Sequence, residues 1–136
     1  MRRSLPAAAL AAFLVAGPAC AQSLAELSKG WVFGEHGGEA LYAHVCAGCH
    51  QPDGGGAVGA GAYPALARNP NLASATYVEN LVVSGRAAMP PIGAMMSDEQ
   101  VADVVNYVRA RFGDFHDDQV SAAEVGTLRS GKGKSP

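Results

Sequence analysis

Two cysteines and a histidine lie close together in the first half of the chain, in the stretch Cys46-Ala47-Gly48-Cys49-His50. In this spacing, two thiols can add to the neighbouring vinyl groups of one porphyrin, and the histidine that follows can ligate the iron. The pattern therefore predicts covalent attachment of one c-type haem through Cys46 and Cys49, with His50 as an axial iron ligand.

Two other chemistries use the same residue types. A thioredoxin-like redox pair has the Cys-x-x-Cys spacing, but it needs a strand–helix–strand setting, and no β-rich stretch precedes Cys46. A zinc site could combine the thiols with His50, His44 or His36, but no second cysteine or histidine pair follows to complete four ligands. His44 falls off the apolar stripe of its predicted helix, as is typical of a solvated histidine. The zinc site is therefore only an alternative to haem attachment.

The first 21 residues have the pattern of a secretory signal peptide. Two arginines precede an apolar run over residues 5–16, and Ala19-Cys20-Ala21 offers small residues at a cleavage site. The apolar run is too short to span a bilayer comfortably, so we expect no transmembrane span in the mature chain. Cleavage after Ala21 predicts a periplasmic protein, with lipid attachment at Cys20 as the alternative.

Removal of this segment changes the cysteine and charge counts. The chain has 136 residues, a length that indicates one domain, and after cleavage its cysteines are Cys46 and Cys49, which leaves none for a structural disulfide. Eight basic residues then stand against twelve acidic ones, a formal charge near −4. A mildly acidic chain is not expected to bind nucleic acid or an anionic membrane surface.

The mature chain divides into three predicted segments. Residues 22–36 form an N-terminal extension, residues 37–113 the folded domain and residues 114–136 a C-terminal tail. In the tail, Ser121 to Leu128 can hold a helical turn with Glu124 in its third position. The last residues, 130–136, are expected to be disordered.

The first helix is predicted over residues 38–47 from the helical spacing of its apolar residues. Gly38 and Tyr42 lie four residues apart on one face, where another helix can approach closely. Ahead of this helix, Trp31 and Phe33 are expected to pack onto the domain, with docking onto a partner protein as the alternative.

A glycine-rich loop follows the haem motif. Its density of turn-forming residues predicts no regular structure, and glycine lets the backbone lie flat against a porphyrin. A carbonyl near Pro64 is the expected acceptor for the Nδ1 proton of His50, which would fix the imidazole ring. Pro64 and Leu66, at the end of the loop, are expected to pack against the haem.

Two further helices are predicted downstream. Thr76 and Glu79 have capping-box spacing, and a glycine follows where that helix would stop. Ser97 and Gln100 form a second capping box, and the helix that follows is predicted to end at Gly113. Its apolar stripe has helical spacing and consists of Val101, Val104, Val105 and Val108.

The iron of an electron-transfer haem usually takes a methionine sulfur as its sixth ligand. Three methionines compete for that role. Met89 precedes two prolines, which hold it extended and stiffen the loop beyond it. Met96 directly precedes a helix cap, where it can pack against Val101 as a hydrophobic staple. The pattern favours Met89 as the axial ligand, with Met95 as the alternative.

The order of these elements resembles a class I cytochrome c along residues 38–112. The matching residues are Gly38, Tyr42, the Cys-x-x-Cys-His motif, Pro64, Met89-Pro90 and Tyr107. This resemblance implies an all-α fold of three to four helices around one haem c, with His50 and Met89 as axial ligands. It also implies that the first and last helices cross where Gly38 meets Tyr107.

A finer resemblance is to cytochrome subunits of membrane-bound alcohol dehydrogenases. It is carried by four stretches, residues 63–67, 69–72, 89–93 and 121–129. Those subunits usually carry three haems, whereas this chain has one haem motif, so a fixed subunit and a free shuttle both stay open.

The implied function is that of a periplasmic monohaem cytochrome, an electron carrier rather than an enzyme. It would pass single electrons from a periplasmic dehydrogenase to a membrane oxidase or another cytochrome. The alternative functions are a haem protein with an open sixth site, either ligand-binding or peroxidase-like, and a zinc-binding interaction module.

Overall fold

The structure, a computed structural model, describes residues 32–59 and 61–132. Its elements in chain order are α1 (Gly38–Leu41), a π-helical turn (Tyr42–Cys46), α2 (Ala47–His50), β1 (Ala57–Val58), β2 (Ala62–Tyr63), a 3-10 turn (Pro70–Ala73), α3 (Ala75–Ser84), a second 3-10 turn (Ile92–Met95), α4 (Asp98–Gly113) and α5 (Ala122–Lys132). The fold is mostly helical, as predicted, with one short pair of strands. The predicted signal peptide and Trp31 lie outside the described residues. Within the described ranges, no helix is both long and apolar enough to cross a membrane.

Helix α4 supplies the central stripe of the core. Its four valines at helical spacing are all buried: Val101, Val104, Val105 and Val108. The predicted capping box is confirmed, because Ser97 Oγ accepts from the Gln100 backbone N–H while the Gln100 side chain accepts from the Ser97 backbone N–H. The box satisfies two backbone donors at the helix start. The helix ends at Gly113, as predicted, and Asp114 adopts the left-handed conformation at its C-cap.

Helix α1 crosses α4 at the glycine that the sequence singled out. A Cβ atom on Gly38 would collide with the Asp103 carbonyl oxygen and with Tyr107 Cβ, so only glycine fits between the two backbones. The Tyr42 ring lies 5.7 Å from the Tyr107 ring and 4.8 Å from the Phe112 ring, measured between centroids. The predicted crossing of the first helix with α4 is confirmed.

The first helix continues through the haem motif, so its predicted end at Ala47 is wrong. A π-helical turn connects α1 to α2, which extends to His50. Such a turn has wider hydrogen bonding than an α-helix and turns the following side chains to a new direction. The Tyr42 hydroxyl donates to the Gln51 carbonyl at 2.6 Å, just beyond this helix. Burial raises the pKa of Tyr42 to about 12.

The glycine-rich loop contains regular structure that the sequence did not predict. Strands β1 and β2 pair antiparallel, with Ala57 opposite Tyr63 and Val58 opposite Ala62. Gly54 is buried, and its carbonyl accepts from the backbone N–H groups of Leu66 and Ala67 at 2.7 and 3.0 Å. The prediction of a wholly irregular loop is therefore wrong. The strand pair is largely exposed, and only the buried Gly54 needs its backbone partners within the core.

Helix α3 begins two residues earlier than predicted. Ser74 is the N-cap, with extended backbone and with Oγ accepting from the Tyr77 N–H at 3.3 Å. The predicted Thr76–Glu79 capping box is wrong, because both residues lie inside the helix. The preceding 3-10 turn leaves the chain extended at Ser74, which is the geometry that an N-cap needs. Gly85, at φ 66°, ends the helix where predicted.

The residues after α4 pack back onto the core. Ser121 and Glu124 form reciprocal bonds at the start of α5, where the Ser121 N–H meets Glu124 Oε2 at 2.7 Å and the Glu124 N–H meets Ser121 Oγ at 3.3 Å. Val120 and Val125 are buried, and Val125 is fully enclosed. The predicted helical turn is thus a longer helix. Disorder over residues 130–136 is wrong for the first three, which are helical, and the last four lie outside the described residues.

Arg109 connects this C-terminal part to the rest of the core. Its side chain is almost fully buried, at 2% exposure, although it is an arginine close to the end of α4. The guanidinium donates to four backbone carbonyls, those of Leu72, Ala73, Asp117 and Asp118. A buried guanidinium needs such acceptors, because it has five N–H donors and a fixed charge.

The end of the N-terminal extension packs as the sequence predicted for Phe33. Its backbone N–H donates to the Met95 carbonyl at 3.0 Å, and its ring packs against the core. The Gln100 amide donates to the carbonyls of Phe33 and Glu35 at 2.7 and 2.9 Å. These bonds hold the extension along the start of α4.

Candidate functional site

Two adjoining cavities lie beside the haem motif, with volumes of about 290 and 160 Å³. The residues that line both are Cys46, His50, Pro64, Tyr77, Leu81 and Met89. Cys49 lines the larger cavity, and Val104, Val105 and Val108 of α4 line the smaller one. The fold thus places the two thiols predicted to hold a haem, the imidazole of His50 and the thioether of Met89 beside a single apolar space.

The two cysteines differ in environment. Cys46 is half-buried at the end of the π-helical turn, and Cys49 is exposed on α2. Burial, helped by the nearby Cys49, raises the pKa of the Cys46 thiol to about 11. The thiol is therefore protonated at neutral pH, which makes it a poor nucleophile or redox partner by itself.

His50 is oriented by the loop that follows it. Its Nδ1 lies 3.0 Å from the Pro64 carbonyl oxygen. Because a carbonyl only accepts, Nδ1 carries the proton and Nε2 has the lone pair that a metal can take. The predicted carbonyl partner of this histidine is confirmed.

The loop closes around His50 because it contains a glycine at one crowded position. The Gly56 N–H donates to the His50 carbonyl at 3.0 Å, and a Cβ on Gly56 would lie 2.7 Å from the Ala65 nitrogen. This close approach, with φ 68°, requires glycine. Leu66, which the same loop delivers, lines the inner cavity beneath the α4 valines.

The three methionines lie in different places. Met89 lines both cavities, whereas Met95 is 38% exposed and lines neither. Met96 is buried in the core next to the α4 cap, as its predicted staple position requires. Met89 is therefore the methionine whose position fits the sixth ligand of an iron held by His50.

Met89 sits on a tightly built turn. The Arg86 N–H donates to the Met89 carbonyl at 2.9 Å, and the Met89 N–H donates back to the Arg86 carbonyl at 3.0 Å. A Cβ on Gly85 would lie 2.5 Å from the Met89 carbonyl oxygen, so glycine is needed there as well. The turn thus holds Met89 through backbone contacts on two sides.

The far side of the methionine loop is held by α5, a contact that the sequence did not predict. Arg129 donates to the carbonyls of Gly93 and Met96, each at 3.0 Å, and to Asp98 Oδ1 at 2.6 Å. No local pattern pairs position 129 with position 93, because the contact depends on how α5 packs. The tail helix therefore contributes to the geometry of the site.

Among the described residues that line the two cavities, Arg86 alone carries a guanidinium, and the sequence analysis assigned it no role. Its Nη1 donates to the Tyr77 hydroxyl at 3.4 Å. The histidines considered as zinc ligands, His36 and His44, are exposed and line neither cavity. His44 Nδ1 lies 3.1 Å from Glu35 Oε1. Over residues 32–59 and 61–132, no three His, Cys, Asp or Glu side chains group as a metal site, so the zinc alternative has no support.

These residues fit a covalently held porphyrin. The space is apolar, two thiols border it, and an oriented imidazole and a thioether line the same walls. An apolar ring system with a central metal gains from that burial, and soft sulfur with imidazole nitrogen suits haem iron.

Comparison with known proteins agrees with this chemistry. Residues 35–108 match the family model of cytochrome c oxidase, cbb3-type, subunit III. The alcohol dehydrogenase (quinone) cytochrome c subunit of Gluconacetobacter polyoxogenes is 35% identical over 68% of this chain and 22% of its own length. The fructose dehydrogenase cytochrome subunit of Gluconobacter japonicus is 37% identical over 73% of this chain and 23% of its own length. The gluconate 2-dehydrogenase cytochrome c subunit of Pantoea cypripedii is 32% identical over 68% of this chain and 24% of its own length.

The chain thus spans about a quarter or less of the length of these curated relatives. No solved structure matches it.

Proposed function

We propose that this chain, which belongs to the cytochrome family of cytochrome c oxidase, cbb3-type, subunit III, is a periplasmic monohaem electron carrier. Membership of that family implies a covalently bound haem c. It accepts single electrons from a dehydrogenase and passes them to a respiratory acceptor. The observation that carries this proposal is the meeting of Cys46, His50 and Met89 at one apolar cavity.

Each proposed site residue has one task. Cys46 and Cys49 would form the thioether links to the porphyrin, and His50 Nε2 and the Met89 sulfur would be the ligands of its iron. When bound, the haem supplies the one-electron couple. The Pro64 carbonyl holds the imidazole and raises its donor strength. Pro64 and Leu66 line the smaller cavity, where they would pack against the porphyrin.

Water exclusion is the chain's main contribution to the redox step. An apolar, methionine-ligated site favours the less charged, reduced iron and so raises the reduction potential. If His50 and Met89 both ligate the iron, no open position is left for a substrate, which would favour electron transfer over bond chemistry. We therefore propose a carrier or an electron-transfer subunit, not an enzyme in itself.

The relatives suggest the partners. They are cytochrome subunits of alcohol, fructose and gluconate dehydrogenases. We propose a periplasmic dehydrogenase as the electron donor and a membrane oxidase or another cytochrome as the acceptor. Export by the predicted signal peptide would place the chain beside both.

The test is spectroscopy of the full chain exported together with a cytochrome c maturation system. We expect a low-spin spectrum with a methionine-to-iron absorption band and haem that stays attached in acidified acetone. Met89→Ala should remove the band and allow carbon monoxide to bind the reduced iron, whereas the matched control Met95→Ala should keep the wild-type spectrum. A wild-type protein that binds carbon monoxide readily and lacks the band would support the open-site alternative instead.

A second experiment addresses the partners. Co-purification from native membrane and soluble fractions should recover a dehydrogenase subunit, and the purified cytochrome should be reduced by that dehydrogenase with its substrate. Recovery of no dehydrogenase, together with no reduction by one, would contradict the proposed donor while leaving the haem assignment intact.

A further inference from the structure

A third cleft, of about 370 Å³, lies between the end of α4 and residues 68–70. Two arginines line it, Arg68 and Arg111, and both are exposed. The rest of its lining is mainly apolar and includes Pro70 and Phe115. Small-ligand sites in proteins combine concave, largely apolar walls with a few charged groups. The cleft therefore has the composition of a site for a small anion.

The two guanidinium groups of this cleft are not committed elsewhere in the described chain. Arg109 bonds to four carbonyls and Arg129 pairs with Asp98. By contrast, no described residue forms an ion pair or a side-chain hydrogen bond with Arg68 or Arg111. In a chain with a formal net charge of −2, two such positive charges on one cleft favour a negatively charged ligand.

Both arginines are positioned by the buried Phe112. The Arg68 N–H donates to the Phe112 carbonyl at 2.8 Å, and Arg111 Cζ lies 5.5 Å from the centroid of the Phe112 ring. Arg68 also adopts a left-handed φ of 59°, an uncommon conformation for a residue with a long side chain. A guanidinium that lies over an aromatic ring still has the planar fork of N–H donors that matches a carboxylate or a phosphate.

One carboxylate opposes the arginines. Asp114 lines the same cleft, and its Oδ1 lies 3.1 Å from His116 Nε2. Its negative charge repels an anion and offsets one of the two guanidinium charges. Removal of the Asp114 charge should therefore tighten anion binding, a gain that damage to the fold would not produce.

The cleft adjoins the space that fits the porphyrin. Asn69 lines both this cleft and the smaller cavity beside the haem motif. Its side chain is fixed, because Nδ2 donates to the Ala65 carbonyl at 2.9 Å and Oδ1 accepts from the Asn71 N–H at 3.0 Å. A negative charge bound in the cleft would therefore lie close to the haem site, where it favours the oxidised iron.

We propose that the cleft between Arg68 and Arg111 binds a small organic anion with a carboxylate or phosphate group, and that the bound anion lowers the reduction potential of the haem. The binding site goes beyond the proposed function, whereas its effect on potential rests on that function. By linkage, the oxidised protein binds the anion more tightly than the reduced protein by the same factor.

The first test is an NMR titration of the reduced, haem-loaded chain at constant ionic strength, with succinate or inorganic phosphate replacing chloride. Saturable shifts should be confined to the cleft. Arg68→Gln and Arg111→Gln should each weaken binding about tenfold, because a hydrogen bond to a charged group is lost. Asp114→Asn should tighten binding. The matched control is Arg86→Gln, which removes the same charge from an exposed position outside the cleft and should bind as the wild type does.

The site is contradicted if neither anion gives saturable shifts in the wild type, or if Arg86→Gln weakens binding as much as the cleft variants do. Shifts that appear only with a peptide of glutamates would also overturn the proposal, and would assign the cleft to an acidic protein segment. Should a glutamine variant fail to fold, Asp114→Asn decides, because unchanged or weaker binding there contradicts the site.

The second test is a redox titration at constant ionic strength. Saturating succinate should lower the equilibrium constant for reduction about two- to tenfold in the wild type but not in Arg111→Gln. Equal potentials in succinate and chloride would overturn the effect on the haem. Failure of the proposed function is distinguishable, because the wild type would then lack the methionine-to-iron band while the anion titration could still succeed.

Discussion

Replacing Gly85 by alanine tests how firmly the fold holds Met89. Gly85 adopts φ 66° and ψ 170°, a backbone conformation that is essentially restricted to glycine. A Cβ there would lie 2.5 Å from the Met89 carbonyl oxygen and 2.8 Å from backbone atoms of Pro90 and Pro91. Because two prolines stiffen that segment, the methyl group can be accommodated only if the segment carrying Met89 moves.

Two costs add at this position. The unfavourable backbone conformation costs about 1–3 kcal/mol, and forcing a methyl group into filled space costs about 1–3 kcal/mol more. We therefore expect Gly85→Ala to lower the free energy of unfolding by about 2–6 kcal/mol, a large part of a usual total of about 5–15 kcal/mol. Movement of the loop would relieve the contact but would draw the sulfur away from the iron.

Urea unfolding followed by circular dichroism measures the first effect, and the methionine-to-iron band of the oxidised protein measures the second. The matched control is Gly131→Ala on α5, where an added Cβ meets nothing within 4 Å. There, helix propensity predicts no loss and a gain of up to about 1 kcal/mol. If Gly85→Ala unfolds at the wild-type urea concentration with its band intact, the reasoning about this turn is wrong.

Three further outcomes are expected. Arg109→Met should lower the free energy of unfolding by at least about 3 kcal/mol, because four carbonyls lose a buried donor; a loss under about 1 kcal/mol in urea unfolding would contradict this role. Arg129→Ala should lower the free energy of unfolding by about 1–3 kcal/mol in the same assay and weaken the methionine-to-iron band, because the Gly93 and Met96 carbonyls lose their donor. An unchanged band would show that α5 does not affect the position of Met89. The Tyr42 pKa of about 12 lies above its unfolded value near 10. The protonated hydroxyl therefore contributes fully to the free energy of unfolding below pH 10, and this contribution is lost as the pH rises towards 12. The loss is about 2–3 kcal/mol. In urea unfolding between about pH 9 and 12, the free energy of unfolding of Tyr42→Phe should decline less than that of the wild type. Equal declines in the two proteins would contradict the raised pKa of Tyr42.

The features that could be predicted from the sequence have short-range patterns. The haem motif is five consecutive residues, the Ser97–Gln100 box spans one helical turn, and Gly38 with Tyr42 marks a helix crossing by its spacing alone. The Pro64 carbonyl follows from the chemistry of a ligating histidine, which needs an acceptor for its second nitrogen. These inferences depend on local geometry that tertiary packing leaves in place.

The features that were missed depend on contacts between distant segments. Arg109 looks like an ordinary surface residue in a last helical turn, and only the return of the chain after α4 provides its buried carbonyl partners. The Thr76–Glu79 pattern is a proper capping box by spacing, yet the backbone is extended at Ser74 and the helix begins there. The π-helical turn and the strand pair have no signal in the composition of the segments that form them.

The family match ends at residue 108, but the packing that supports Met89 does not. Val125 is sealed within the core, and Arg129 reaches from α5 to the loop after the two prolines. Anyone grafting this cytochrome onto another protein, or trimming it to a minimal electron relay, should therefore keep the chain through Lys132. A fragment cut at the family boundary would retain every proposed haem ligand while losing the brace behind one of them.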